Sequence, residues 1–189
     1  METLNLPTYE FRTTEREGKR AIYDPLRDRY VRLTPEEWVR QHFVQYLIQE
    51  LDVPAGLVAI EAAFQYQDQP RRADAIVHDR QGAPLLLVEC KAPRVNIDQD
   101  AFDQCARYNI VLEAPYLVVT NGRVHYACAI DVQDRSYAFL DDLPPYGQAA
   151  FQSAGCVRAP SCSQTPSLDD GILRNFCTAR CRRVVGIDE

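Results

Sequence analysis

The sequence predicts an α/β domain in which a mixed central β-sheet is flanked by helices. Two segments carry apolar residues at helical spacing, and short apolar runs bounded by turn residues lie between and after them. With 46% hydrophobic and 25% charged residues, the 189-residue chain has an ordinary globular balance. Its apolar runs are too short to cross a bilayer, and its N-terminus lacks the pattern of a signal peptide. We therefore expect a soluble, cytoplasmic protein with no membrane association.

The two helices are predicted over residues 35–51 and 99–113. Thr34 can cap the first helix, Pro35 suits its first position, and Glu37 completes a capping box with Thr34. The second helix opens at residues 98–100, which are rich in Asp and Gln, and continues to about Glu113.

The strands are predicted from short apolar or alternating runs that end at turn residues. They lie at 57–64, 72–78, 85–91, 116–120 and 123–130. Asn121-Gly122 is a strong hairpin signal, whereas residues 65–70 read as a loop. Residues 20–23 and 29–32 are expected to pair around Asp24-Pro25, and a last short strand is expected at 136–140.

The domain is predicted to span residues 1–146, followed by a poorly ordered tail over 147–189 that is rich in Ser, Pro and Cys. Four of the seven cysteines lie in this tail, and their spacing is not that of a zinc site. Cys90, Cys105 and Cys128 lie in apolar segments and are expected to be buried. The net charge of −6 argues weakly against tight binding of nucleic acid.

The most informative segment is the predicted hairpin that contains Asp74, Glu89 and Lys91. A symmetric turn centred between Gln81 and Gly82 places Asp74 directly opposite Glu89. Two opposed carboxylates repel each other, and a divalent cation between them removes that repulsion. Strand alternation puts Lys91 on the same face as Glu89, where it could position or deprotonate a water molecule. The alternative is a solvent-exposed Asp74, with Glu89 and Lys91 as an ordinary surface pair.

Five pieces of the chain resemble one known family. They are TPEEWVRQHFVQYLI (34–48), RRADAIV (71–77), LLLVECKAP (85–93), QCARYN (104–109) and LVVTNGRVHY (117–126). The chain is similar to the PD-(D/E)xK nuclease superfamily, and in particular to the N-terminal nuclease domain of type I restriction enzyme R subunits and its short stand-alone relatives. The resemblance implies a restriction-endonuclease-like core. One departure is that Ala73 stands where the family usually has a Pro before the first Asp.

The resemblance also implies roles for individual residues. Asp74 and Glu89 would bind Mg²⁺ or Mn²⁺, and Lys91 would assist the attack of water on a phosphodiester. Gln104 and Tyr108 match the Q-x3-Y element of the family, whose helix face borders the active site and contacts DNA or organises catalytic groups. The alternative for this pair is a packed Tyr and a hydrated Gln.

Glu37 is the candidate for a first-helix carboxylate near the metal, and its alternative role is the capping box. Arg71 and Arg72 lie near the predicted catalytic hairpin and could contact phosphate, although exposed arginines are often merely solvated.

The leading functional hypothesis is metal-dependent hydrolysis of DNA, with a role in restriction or defence that follows only from the resemblance. One alternative is a nucleic-acid-binding or assembly module that keeps the nuclease fold without turnover, and another is an α/β domain whose hairpin carboxylates are incidental. The 189 residues contain no motor or translocase part, which suggests that a helicase or translocase acts in trans. The oligomeric state stays open, a homo-oligomer included.

Overall fold

The computed structural model describes residues 2–131 and 136–148. These residues form two α-helices, α1 (Pro35–Gln49) and α2 (Gln99–Leu112), with three strands before α1, three between the helices and three after α2. The strands are β1 (Thr13–Arg16), β2 (Lys19–Asp24), β3 (Arg29–Arg32), β4 (Val58–Tyr66), β5 (Gln69–His78), β6 (Pro84–Cys90), β7 (Tyr116–Thr120), β8 (His125–Asp131) and β9 (Ser136–Leu140). In this part of the chain, no helix combines the length and the apolar character needed to span a bilayer. Nearly all of the proposed tail lies outside the described residues.

The main sheet has six strands in the order β4-β5-β6-β7-β8-β9. Strands β6 and β7 are parallel, and the other neighbours are antiparallel. The parallel pair follows from the chain order, since α2 connects the two strands as a crossover. The predicted fold class, a mixed sheet with flanking helices, is confirmed.

The two helices cover the sheet through two apolar cores. Val39, Phe43 and Leu47 recur at a spacing of four along α1 and are fully buried against strand residues such as Val77 and Val88. A second core joins α2 to other residues of the same strands; its helix members include Phe102 and Cys105, and its strand members include Ile76, Leu87, Leu117 and Val119. Cys90, Cys105 and Cys128 are buried in these cores, as expected.

The first helix begins as the sequence predicts, but only half of the capping box forms. The Thr34 hydroxyl accepts a hydrogen bond from the Glu37 backbone N–H at 3.0 Å. The reciprocal bond is replaced, because the Thr34 N–H donates to the Arg32 carbonyl. The Glu37 carboxylate instead contacts the guanidinium groups of Arg27 and Arg40. Charged donors are stronger partners for a carboxylate than a backbone N–H, which explains the difference.

The predicted loop at 65–70 is instead the end of a long β4–β5 hairpin. The two strands pair out to Tyr66 and Gln69, which leaves a two-residue turn at Gln67-Asp68. Both turn residues have positive φ, 49° and 58°, as in the turns that match the twist of a hairpin. The sequence prediction missed this turn because Gln-Asp lacks the glycine that usually marks such a conformation.

A separate three-stranded antiparallel sheet is formed by β1, β2 and β3. The hairpin predicted around Asp24-Pro25 is present as β2 and β3. The sequence prediction missed β1, since its four residues are all exposed and show no apolar alternation. The buried side chain of Ile22 packs this sheet onto the body of the protein.

The N-terminal segment, residues 2–6, lies across the turn between β7 and β8. The Asn5 N–H donates to the Gly122 carbonyl at 2.6 Å, and the Asn5 carbonyl lies 3.0 Å from His125 Nε2. The Trp38 indole N–H donates to the Glu2 carbonyl at 3.2 Å. Leu6 is 5% exposed and belongs to the α1 core. The first residues are thus an integral part of the domain.

Replacing Gly122 with alanine should destabilise the fold by about 1–3 kcal/mol. Gly122 has a φ of +79°, and an added Cβ would lie 2.8 Å from Leu4 Cδ2. The matched control is Gly56→Ala, because Gly56 has ordinary φ and open space around it. Thermal melts of both variants test this expectation, and equal melting temperatures would contradict it.

Candidate active site

Asp74 and Glu89 are brought together by the β5–β6 hairpin. Ala75 pairs with Val88 and Ile76 with Leu87, so the register continues to Asp74 opposite Glu89. This is the register that the symmetric turn predicts, with a shift only near the turn, at His78. Asp74 Oδ2 accepts a hydrogen bond from the Cys90 backbone N–H at 2.7 Å. The carboxylate of Asp74 therefore reaches the end of β6, next to Glu89.

The regular alternation of β5 breaks at Asp74. Ala73 packs into the α2 core, whereas Ala75 packs into the α1 core, although residues two apart normally share a face. The position opposite Asp74 on β4 is occupied by Glu61, whose φ of 50° lies in the left-handed region. Local irregularities of this kind redirect a side chain near functional sites. Here the irregularity accompanies the turn of Asp74 towards the end of β6.

Lys91 follows β6 directly and is held by two contacts. Its Nζ donates to Glu89 Oε1 at 2.7 Å, and its backbone N–H donates to the Thr120 carbonyl at 2.7 Å. The side chains of Lys91 and Glu89 are 23% and 12% exposed. The ammonium group thus lies at the mouth of the site beside Glu89.

Burial raises the pKa values of both carboxyl groups, and neighbouring carboxylates, Glu61 for Asp74 and Asp74 for Glu89, raise them further. Burial is the main cause for Asp74, and the Cys90 N–H, Arg40 and Lys91 partly offset it by lowering its pKa. Burial also raises the pKa of Glu89, and the charge of Asp74 raises it further, while Lys91 lowers it. Burial lowers the pKa of Lys91, but its contact with Glu89 outweighs this, so its pKa is raised overall. The lysine is therefore a cation whenever Glu89 is ionised.

The first helix contributes Glu36, rather than Glu37, to the electrostatics of the site. The pKa of Glu36 is raised by partial burial and by the charge of Asp74, and it is lowered by Lys91 and Arg40. Glu37, the residue that the sequence analysis selected, contacts Arg27, Arg40 and the Gln41 side chain. The sequence analysis took Glu37 from the family resemblance and gave Glu36 no role.

Gln104 and Tyr108 are neighbours on α2, as their spacing predicts. Gln104 Nε2 donates to the Tyr108 hydroxyl at 2.9 Å. The Tyr108 ring packs edge-on against Phe64 and Tyr66 of β4, with centroids 5.3 and 5.8 Å away. One residue along the helix from Gln104, the buried Cys105 thiol has a raised pKa, to which burial contributes most and Glu89 next. Cys105 of α2 therefore lies within electrostatic range of Glu89.

Arg71 and Arg72 are exposed on the β4–β5 hairpin, beyond the end of β6. The Arg72 side chain is 64% exposed and lies 3.4 Å from Glu61 Oε2. Both residues are accessible to a ligand that approaches Asp74 along β5.

The donor atoms of the site suit a divalent cation. Asp74 Oδ1 and Glu89 Oε2 make no hydrogen bond to any residue among 2–131 and 136–148. These oxygens belong to partly buried side chains, and with the nearby charge of Glu36 they place three carboxylates beside two cations, Lys91 and Arg40. Mg²⁺ is commonly held by one or two carboxylates and several waters. A closed cage is absent from the described residues, where no three His, Cys, Asp or Glu side chains meet at metal-binding distance.

The raised carboxyl pKa values should make stability depend on pH and on metal. In the folded state Asp74 and Glu89 hold protons to a higher pH than in the unfolded state. Without divalent cation, stability should therefore fall as the pH rises from the unfolded-state pKa through the raised folded-state pKa. Mg²⁺ at about 100 times its Kd should stabilise by about 2.7 kcal/mol at neutral pH.

Thermal melts in EDTA and in Mg²⁺ across acidic to neutral pH measure both effects. The variant Glu89→Gln should be more stable than the wild type in EDTA at neutral pH, and it should respond less to Mg²⁺. A wild type whose melting temperature does not change with Mg²⁺ would count against a metal site.

A comparison with known families identifies one match over most of the domain. The model described as "Type I restriction enzyme R protein N terminus (HSDR_N)" matches residues 35–144. This range runs from the first residue of α1 to beyond β9 and includes Asp74, Glu89 and Lys91. The comparison with curated proteins finds no match.

Proposed function

Because the chain belongs to the family of type I restriction enzyme R protein N-termini, we propose that it is a metal-dependent nuclease that hydrolyses phosphodiester bonds in DNA. The observation that carries this proposal is the pair of partly buried carboxylates, Asp74 and Glu89, beside the ammonium group of Lys91. A buried arrangement of this kind carries a cost for folding alone, since like charges at opposed strand positions repel each other. A catalytic role explains why it is present.

The residues divide the chemistry among them. Asp74 and Glu89 would hold Mg²⁺ or Mn²⁺ through Oδ1 and Oε2, the oxygens that protein donors leave open. The bound cation would supply Lewis acidity and an activated water. The Lys91 ammonium would orient that water or stabilise the negative charge that develops on the phosphate. Glu36 would act from the rim of the site, where its charge is felt by both partners of the pair.

Gln104, Tyr108, Arg71 and Arg72 would position the substrate. The hydrogen bond from Gln104 fixes the hydroxyl of Tyr108, whose ring is held between β4 and α2. The exposed guanidinium groups of Arg71 and Arg72 lie on the same hairpin as Asp74 and suit phosphate contacts. None of these contacts selects a base, so cleavage that depends little on sequence is expected.

The test is cleavage of circular and linear DNA by the full chain in Mg²⁺, in Mn²⁺ and in EDTA. Cleavage that requires the cation and is lost in Asp74→Asn and Lys91→Met supports the proposal. DNA retention without cleavage, unaffected by cation and by either substitution, would favour a binding module instead. Nicked circular products would identify an endonuclease, and shortening of linear DNA alone would identify an exonuclease.

A further inference from the structure

The small sheet formed by β1, β2 and β3 concentrates positive charge in an otherwise acidic protein. Residues 12–32 contain seven Lys or Arg and four Asp or Glu, a net charge of +3 in a chain whose net charge is −6. This segment lies before residue 35, where the family match begins. Its charge is therefore a property of this chain that the family comparison does not address.

Strand pairing sorts these charges onto two faces. Ile22 and Asp24 are 0% and 3% exposed, so the face on which they lie is turned towards the body of the protein. The opposite face, called the basic face here, is set by the pairs Arg16–Lys19, Ala21–Arg32 and Tyr23–Tyr30, with Arg12 next to Tyr23. Its large side chains are Arg12, Arg16, Lys19, Arg32, Tyr23 and Tyr30. All four cations of the basic face are exposed, and no Asp or Glu shares their strand positions.

Two tyrosine rings hold two of these arginines in place. The Arg12 guanidinium lies 3.7 Å from the centroid of the Tyr23 ring, and that of Arg16 lies 4.7 Å from the Tyr30 ring. The two rings pack edge to face, with centroids 5.3 Å apart. An arginine stacked through its flat face presents N–H donors at its edge and loses less side-chain entropy when it binds. The basic face is therefore pre-organised for an anion.

The sheet is attached beside the candidate active site. Arg27, from the turn between β2 and β3, contacts Asp24 at 2.6 Å, Glu37 at 3.1 Å and Glu61 at 3.2 Å. Glu61 occupies the strand position opposite Asp74. A ligand held on the basic face is thus bound by an element whose end is fixed next to the carboxylates.

We propose that the basic face binds the sugar-phosphate backbone of nucleic acid and anchors the substrate outside the catalytic centre. The occupant is inferred from charge complementarity, because a face with four exposed cations, two of them arginines stacked on tyrosine rings, suits contacts with several phosphates. The anchoring role rests on the proposed nuclease function, but binding of nucleic acid to the basic face can be measured without any cleavage.

The test compares two double variants of equal charge in the full chain. Arg12→Gln/Arg32→Gln removes two cations from the basic face, and Arg20→Gln/Arg29→Gln removes two exposed cations from the opposite face. Binding of a short duplex DNA and of a single strand is measured in EDTA over a range of salt concentrations. The affinity of the basic-face variant for duplex DNA should fall about 10-fold. The slope of its log binding constant against log salt concentration should be shallower by about 1.8, or about 0.9 for each lost phosphate contact.

The control variant should bind as the wild type does. If both double variants lost the same affinity, only the net charge of the protein would matter, and the inference would be overturned. Wild-type affinity in both double variants would overturn it as well. A second pair on the same face, Arg16→Gln/Lys19→Gln, should reproduce the loss, and melting curves verify that each variant is folded. If the basic-face variants lost binding and the wild type did not cleave DNA, the DNA-binding role of the basic face would stand and the proposed nuclease activity would be rejected. If the wild type cleaved DNA in a metal-dependent way and the basic-face variants bound DNA as well as the wild type, the nuclease activity would stand and the role of the basic face would be rejected.

Discussion

Replacing Asp74 with asparagine should lower DNA cleavage by at least about 100-fold, since even partners in the outer shell of a metal site typically cost about 10–100-fold. The substitution keeps the size of the side chain and an oxygen that can accept the Cys90 N–H. It removes the charge that would hold a cation opposite Glu89. Initial rates on linear and circular DNA at saturating Mg²⁺ measure the effect.

A matched control separates this loss from a general effect of charge. Asp141→Asn makes the same chemical change at an exposed position beyond β9, and its rate should equal that of the wild type. Lys91→Met should lower the rate by about 10²–10³-fold, the range for loss of one group that stabilises charge in the transition state, while it keeps the stabilisation by Mg²⁺. If Asp74→Asn cleaved DNA as fast as Asp141→Asn did, the assignment of this centre would be rejected.

Replacing Arg40 with alanine should destabilise the fold by about 3 kcal/mol, the lower end of the range for breaking a buried ion pair, because Glu37 and Asp24 lose one cationic partner and keep Arg27. The Arg40 side chain is 5% exposed, contacts Glu37, and lies 3.8 Å from Asp24 Oδ2. The charge of Arg40 also lowers the pKa of Asp74. The variant should therefore need a higher pH for the cleavage activity that Asp74 supports. Chemical denaturation and a pH profile of initial rates measure the two effects.

The control for this prediction is Arg80→Ala, an exposed arginine in the β5–β6 turn, which should change stability by no more than about 0.5 kcal/mol. A double-mutant cycle adds a sharper criterion. Glu37→Ala should cost less in the Arg40→Ala background than in the wild type, since the two side chains share one contact. Additive losses would contradict the proposed coupling.

The sheet, both helices and the pairing of Asp74 with Glu89 could be predicted because local rules agreed with the tertiary structure there. A turn between two apolar strands fixes the register of a hairpin, and that register carries Asp74 to the position opposite Glu89. Thr34 caps α1 by a contact that lies within four residues of sequence. Predictions of this kind need no information about distant parts of the chain.

The predictions that missed the structure depended on contacts between segments far apart in sequence. Glu37 was selected from the family resemblance, and its contact with Arg27 joins α1 to the turn between β2 and β3, which a local pattern does not reveal. The basic face could not be predicted because β1 lacks apolar alternation. Without that alternation, the sequence does not indicate which charged residues share a face of the sheet. The tip of the β4–β5 hairpin was taken for a loop, since its polar residues resemble those of a loop.

The N-terminal segment has a consequence for the synthesis of the protein. Asn5 and its partner His125 are separated by 120 positions in the chain. At about 5–20 residues per second, a ribosome needs about 6–24 s to produce the second residue after the first. Asn5 therefore leaves the ribosome well before His125, and its contacts with the β7–β8 hairpin can form only after both strands have been made.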